Sequence, residues 1–392
     1  MENLINPKVV NDISCYELFN KKSGNIYSIG SKTLDRYFEV NEDLKKPILK
    51  AMQYFDGSYS LDEIDKLLKE KEHFALNVNH FYNLLKTTGL LENETENIVD
   101  KSEYEKYSLK ILQMDISKRE RFFEKFSFMI PIIFITTLIL IPLSIYNIIN
   151  NLGYFVDVNS FKINGSSILG FLSVATIFFL SILLHECAHG VVARKYGLIP
   201  KNLNIALYLY VSPMVYLKIP GLYTLKEKQR IKVWSAGMYM NLFISLLSFS
   251  ILGALKGLSF KLIFICGYIN LMLIFMNICP FLPLDGYFIL STILKLPNLR
   301  KKSFKEFIKF INRKNNNLTF IYFIYFFTSI TVMSLLVLSQ VVIIYKNFTL
   351  GYKINHSILS ALWEVKIYIL LLILGIVFKV KHAISYVKRI DS

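Results

Sequence analysis

Charge is scarce in this chain: 19% of its 392 residues are charged, 53% are hydrophobic, and mean hydropathy is +0.41. A soluble chain carries about 25% charged residues, so the apolar excess has to face something other than water. That excludes intrinsic disorder and argues against a wholly soluble protein. Cysteine is scarce too. The four present (Cys15, Cys187, Cys266, Cys279) are scattered, three of them in apolar runs, and no CxxC pair occurs. A disulfide framework and a redox or zinc-ribbon site are thereby excluded. The opening residues, MENLINPKVVND, lack the apolar core of a signal peptide and are expected to stay on the synthesising side. The formal net charge of +16 raises the question of nucleic acid, which the placement of the charges answers.

Up to residue 126 charged residues are mixed throughout; beyond it come six apolar runs, near 127–149, 168–193, 236–255, 262–281, 318–345 and 358–378. Each approaches the roughly 20 residues that cross a hydrocarbon core of about 30 Å. Lysine and arginine crowd the segment before the first run, the joint between the second and third (Arg194 to Lys232), the joint between the fourth and fifth (Lys295 to Lys314) and the tail (Lys379 to Arg389). The alternate joints hold only Lys162, then Lys256 and Lys261, then Lys346 and Lys353. The positive-inside rule therefore puts both termini in the cytoplasm, as an even number of spans requires. Topology and anionic lipid account for the basic charge, and nucleic acid is not an expected partner. The expected fold is mainly α: a multi-pass helical bundle at 127–392, a basic linker at 111–126, and a small α+β cytoplasmic domain at 1–110. The high Asn, Lys and Ile content fits an AT-rich bacterial genome.

Four of the six histidines lie in soluble or interfacial segments. The other two, His185 and His189, stand inside the second run, in FFLSILLHECAHGVVA. Residues four apart share one helix face, so both imidazoles can reach one ion at about 2.0–2.1 Å. Glu186 projects beside them, placed to take a proton from an attacking water. Ionisable groups in an apolar helix are costly and mark function. Two histidines are too few for a catalytic zinc, which needs three protein ligands and an open position. Asp285, in NICPFLPLDGY after the fourth run, has two readings: a third ligand, or a cap on a short helix beginning at Gly286. Pro280 and Pro283 break the helix before it, and Gly286 permits a sharp turn.

These residues resemble the site-2 proteases, intramembrane zinc metalloproteases. HExxH is followed by Ala193 and Gly197; Asn277, Pro280, Leu284, Asp285 and Gly286 match Asn-x-x-Pro and Leu-Asp-Gly; and Ala236, Gly237 and Asn241 match an Ala-Gly-Pro-x-x-Asn element in which Met238 replaces proline. The resemblance covers roughly 168–290. It implies one Zn2+ per chain held by His185, His189 and Asp285, with Glu186 as the catalytic acid–base. It also makes Asn277, and with it Asn241, a candidate for holding the substrate backbone or the oxyanion. No segment between the runs can hold the PDZ domain that many of these proteases carry. The β-forming stretch 201–220 is either a hairpin near the site, whose edge can pair with an extended substrate, or an interfacial loop anchored by Tyr208, Tyr210 and Tyr216.

Within 1–110, strands are expected near 26–29 and 36–40, and helices over 45–54, from the Ser60–Glu63 capping box to about Glu70, and over 77–87 up to Gly89. Their order resembles a PqqD-like winged helix, which implies a leader-peptide partner; the plainer alternative is a domain that only anchors or regulates. The charged stretch 93–108 is expected to act as a flexible arm. The leading expectation is an intramembrane zinc endopeptidase acting near the cytoplasmic side on a peptide or single-span protein, with maturation of a ribosomally made modified peptide as one such role. The alternatives are a non-proteolytic membrane protein for peptide binding, export or immunity, and a metal transporter. The transporter is disfavoured because no acidic relay crosses the other runs.

Overall fold

The first three strands form by pairing along the chain: β1 (Ile13–Phe19), β2 (Ile26–Ser31) and β3 (Arg36–Asn41) make an antiparallel sheet in the order β1-β2-β3. The computed structural model describes residues 6–21, 24–74, 76–92, 108–208, 212–312 and 320–359, with the single positions 362, 373 and 377. Three helices follow the sheet: α1 (Glu42–Tyr54), α2 (Leu61–Glu70) and α3 (Val78–Thr88). The capping box at α2 is present in full, with Glu63 N donating to Ser60 Oγ and Ser60 N donating to Glu63 Oε2. Gly89 ends α3 in the left-handed conformation at φ 66°, where a Cβ would be strained. Ile29 and Phe38 from the sheet meet Phe55, Ile64, Phe81 and Leu85 from the helical side in one buried core.

The sequence presents 111–126 as a basic linker, but it is built into the structure. Strand β4 (Ser108–Asp115) pairs antiparallel with β5 (Asn202–Tyr208), and β5 with β6 (Ser212–Lys218), so of the two readings of 201–220 the hairpin is the one found, with a third strand added. A lone hairpin would expose a row of unpaired backbone groups along β5, and β4 satisfies them. Helix α4 (Glu120–Ser127) completes the segment. Its Phe123 packs into the space left by Gly190, where a Cβ would fall 2.6 Å from the ring. Arg194 bonds both acids of α4, Glu120 and Glu124. The charged stretch 93–108 lies outside the described residues except for Ser108.

Among the described residues, four helices are long and apolar enough to cross a membrane: α5 (Met129–Asn150), α6 (Ser167–Lys195), α7 (Glu227–Ile251) and α8 (Gly257–Ile278). They correspond to the first four runs. Then come α9 (Asp285–Ile293), α10 (Leu299–Ile311) and α11 (Phe320–Asn355). The fifth run lies on α11, whose apolar part among the described residues, Phe320–Leu335, is shorter than a span. The sixth falls almost entirely outside the described residues. Polar side chains join the spans where apolar contact alone carries little direction: Ser144 donates to Leu246 O, and Asn147 to the Phe249 and Ser250 carbonyls.

The N-terminal domain sits directly on one end of this bundle. Asp35 accepts from Gly221 N at 2.8 Å, Glu39 pairs with Lys302 at 3.1 Å and accepts from Asn298, and Glu227 accepts from Asn20 N. At the centre Arg230, from the first turns of α7, is fully buried: it donates to Leu225 O and Leu18 O and lies 4.9 Å over the Phe19 ring. Its contacts tie the domain to the helix that also supports the histidines of α6.

Candidate metal centre

Helix α6 carries the His-Glu pair and the second histidine one turn apart, with ring centroids 4.8 Å apart. Both rings are buried, at 5% and 7% exposure. Helix α8 ends at Ile278, and the non-helical stretch with Pro280 and Pro283 returns the chain to α9, whose first residue is Asp285. The freed Pro280 carbonyl is satisfied by Tyr325 from α11 at 3.1 Å, as backbone at membrane depth requires. Asp285 Oδ2 then lies 3.0 Å from His185 Nε2 and 3.3 Å from His189 Nε2.

The donor set fits a zinc ion. The three ligand atoms lie within 4.8 Å of one another. Two nitrogens and an oxygen at about 2.0–2.2 Å from a tetrahedral centre stand about 3.3 Å apart, close to the two separations from Asp285. Despite its closeness to both imidazoles, Asp285 Oδ2 is buried without an aligned hydrogen bond among the described residues, as expected of lone pairs that converge on a shared point. The outer nitrogens are occupied. His189 Nδ1 donates to Val233 O at 2.7 Å, so Nε2, which faces the carboxylate, is the nitrogen left to meet an ion. His185 Nδ1 meets the Asn241 side-chain amide at 3.0 Å. Such partners fix ring orientation in metal sites.

Glu186 faces the sheet. Its Oε2 accepts from Leu217 N of β6 at 2.9 Å, which orients the carboxylate and leaves Oε1 to take up a proton. Lys218 O accepts from Lys201 N inside the hairpin, so the adjacent Leu217 points outward along the edge of the sheet, beside the site.

The structure brings together His185, Glu186, His189, Asp285 and Asn241. It places Asn241 on a histidine, acting as an orienting partner. Asn277 lies at the end of α8 beside Gly286, and its Nδ2 donates to Leu273 O of its own helix. Gly286 does not make a sharp turn. It is helical, and a Cβ there would stand 2.4 Å from Ile278 O and 2.6 Å from Asn277 O. Glycine is needed because α9 starts against the end of α8, which is what brings Asp285 to the histidines. Residue types in the sequence did not point to Val233 or Leu217, which contribute only backbone groups. Gly237 had a signal in the Ala-Gly-x-x-x-Asn element, and its reason is steric: a Cβ would lie 2.4 Å from His185 Nε2. Gly237→Ala should therefore push the ring aside and weaken zinc binding about tenfold or more, since overpacking costs about 1–3 kcal/mol. Chelator competition on the purified protein measures this, and unchanged affinity would show that α6 and α7 have slack at this contact. Comparison of the chain with protein-family models, with characterised proteins and with solved structures returns no match.

Proposed function

We propose that the chain is an intramembrane zinc endopeptidase of the site-2 protease kind, and one observation carries the reading: His185, His189 and Asp285 converge within 4.8 Å on a helix apolar enough to span a membrane, with Glu186 next to them. The bound ion would polarise the scissile carbonyl and activate water. Glu186, oriented by Leu217 N–H, takes the proton from the attacking water and returns it to the leaving amide nitrogen. The substrate is a peptide or single-span protein whose backbone must be unpaired at the cut, because a helical segment presents no free carbonyl. The edge strand β6 lies where such an extended segment can add as a further strand, with main-chain bonds giving affinity.

Basic residues in alternate joints support an orientation with both termini in the cytoplasm of a multi-pass, bacterial membrane protein, so cleavage falls near the cytoplasmic side. The three-stranded sheet and three helices of the N-terminal domain support a PqqD-like winged helix that receives a leader peptide. Its docking on the bundle, through Asp35 and Arg230, supports delivery of a captured precursor to the site.

Purified full-length protein should contain about one zinc per chain and cut a genuine precursor within an extended segment. Protein that holds zinc and binds the precursor without cutting it would favour the binding, export or immunity role. Protein that holds no zinc would remove the basis of the reading.

A further inference from the structure

Two amides are buried completely against α6: Asn241 from α7 and Asn270 from α8. Asn241 meets His185. Asn270 donates its Nδ2 to Ser181 Oγ and to Cys266 O, each at 2.9 Å. Ser181 and His185 are four residues apart on α6, so the amides are anchored on successive turns of one face, where Cβ atoms are about 5–6 Å apart. In both, Oδ1 is buried and has no hydrogen-bond partner among the described residues, and leaving a buried acceptor unpaired is costly.

The orientation of an asparagine amide is an assignment, since its oxygen and nitrogen are nearly alike in size. With Nδ2 on His185 Nδ1, the ring proton is forced onto Nε2, the atom that has to face an ion. Turned over, Asn241 accepts the Nδ1–H with Oδ1, and His185 presents a free Nε2 lone pair. Asn241 Nδ2 then becomes a donor lacking an acceptor, while Asn270 Oδ1, whose amide is anchored on the preceding turn of α6, is an acceptor lacking a donor. A pair of orphaned oxygens becomes a matched donor and acceptor.

We infer that Asn270 is a positioning residue of the metal centre: its Oδ1 accepts from Asn241 Nδ2, directly or through one water, in a polar line Ser181–Asn270–Asn241–His185. The inference rests on the zinc reading above. Apolar residues of similar size at 270 would fill the space but leave Asn241 free to turn back and reprotonate Nε2. Asn270 lies in the span itself, outside every motif recognisable in the sequence.

The test is the Zn2+ and Co2+ affinity of full-length protein in detergent, by chelator competition, with the visible spectrum of the cobalt form as a second readout. Asn241→Leu should weaken binding about ten- to hundredfold, the usual loss for an outer partner of a ligand. Asn270→Leu and Ser181→Ala should each weaken it about tenfold and shift the cobalt bands in the same sense. Asn241→Leu with Asn270→Leu together should bind no worse than Asn241→Leu alone, because the line is already cut. Losses that multiply would overturn the inference. So would wild-type affinity and spectrum in Ser181→Ala, a small change that keeps the helix intact should Asn270→Leu fold poorly. A wild-type protein that binds neither ion would instead overturn the zinc reading itself.

Discussion

Glu186→Gln is expected to keep its zinc and to lose hydrolysis by about a hundred- to ten-thousandfold, the contribution of a positioned general acid–base. Glutamine has the size of glutamate, and its carbonyl oxygen can still accept from Leu217 N, so β6 and the α6 backbone keep their places. It cannot take a proton at neutral pH. The loss should therefore fall on kcat, with KM little changed, the signature of an interaction made in the transition state. Steady-state cleavage of a genuine precursor, with metal content measured on the same sample, reads both quantities. Undiminished cleavage by the variant would remove the protease assignment. Loss of zinc with loss of activity would mean instead that Glu186 holds the ion.

Asp285→Ala should empty the centre, lowering zinc affinity about a hundredfold or more, beyond the ten- to hundredfold of changes outside the ligands. Removing the carboxylate leaves two histidines on one helix face, a pair with no third direction in which to close a tetrahedral site. His185→Ala and His189→Ala should do the same. Asp285→Asn separates geometry from charge: it keeps the volume and an oxygen donor, and should bind more weakly than wild type but better than Asp285→Ala. Metal content at equal protein concentration checks the series. Full occupancy in Asp285→Ala would place the third ligand elsewhere; the alternative reading as a helix cap is not met, since Leu284 is the cap residue of α9 and no side chain caps it.

Much of this was open to reading from the chain, for a physical reason. HExxH places two candidate ligands on one helical face by local geometry alone, and the proline pair with Leu-Asp-Gly marks a broken helix that returns near it. Both signals are short in sequence. The three helices of the N-terminal domain and strands β2 and β3 likewise follow from local periodicity and caps. What could not be read depends on distant partners. Strand β1 has no clean alternation to mark it. The segment 108–115 looks like linker because its pairing partner begins at Asn202, beyond two apolar runs. The docking of the N-terminal domain uses Leu18 and Leu225 carbonyls, groups that every residue possesses. Gly237 and Gly286 stand in recognisable motifs, but the reason for glycine there is what stands opposite, His185 and the end of α8. Asn277 has the residue type and motif position of a substrate contact, and what the fold adds is a bond from its amide to Leu273 O of its own helix.

The wide spacing of the site along the chain also sets a clock for its assembly. Strand β4 begins at Ser108, the histidines arrive at 185 and 189, the strand that orients Glu186 ends at Lys218, and Asp285 comes last. A ribosome adding about 5–20 residues per second needs roughly 5–20 s to go from the second histidine to the aspartate. On the proposed reading, the nascent chain then holds its base and two of its ligands but lacks the third. A newly made molecule of such a protease would be unable to close its metal site until the fourth apolar helix is complete and α9 has folded back onto α6. Ordering the ligands in this way would couple proteolytic competence to completion of the helices around the site.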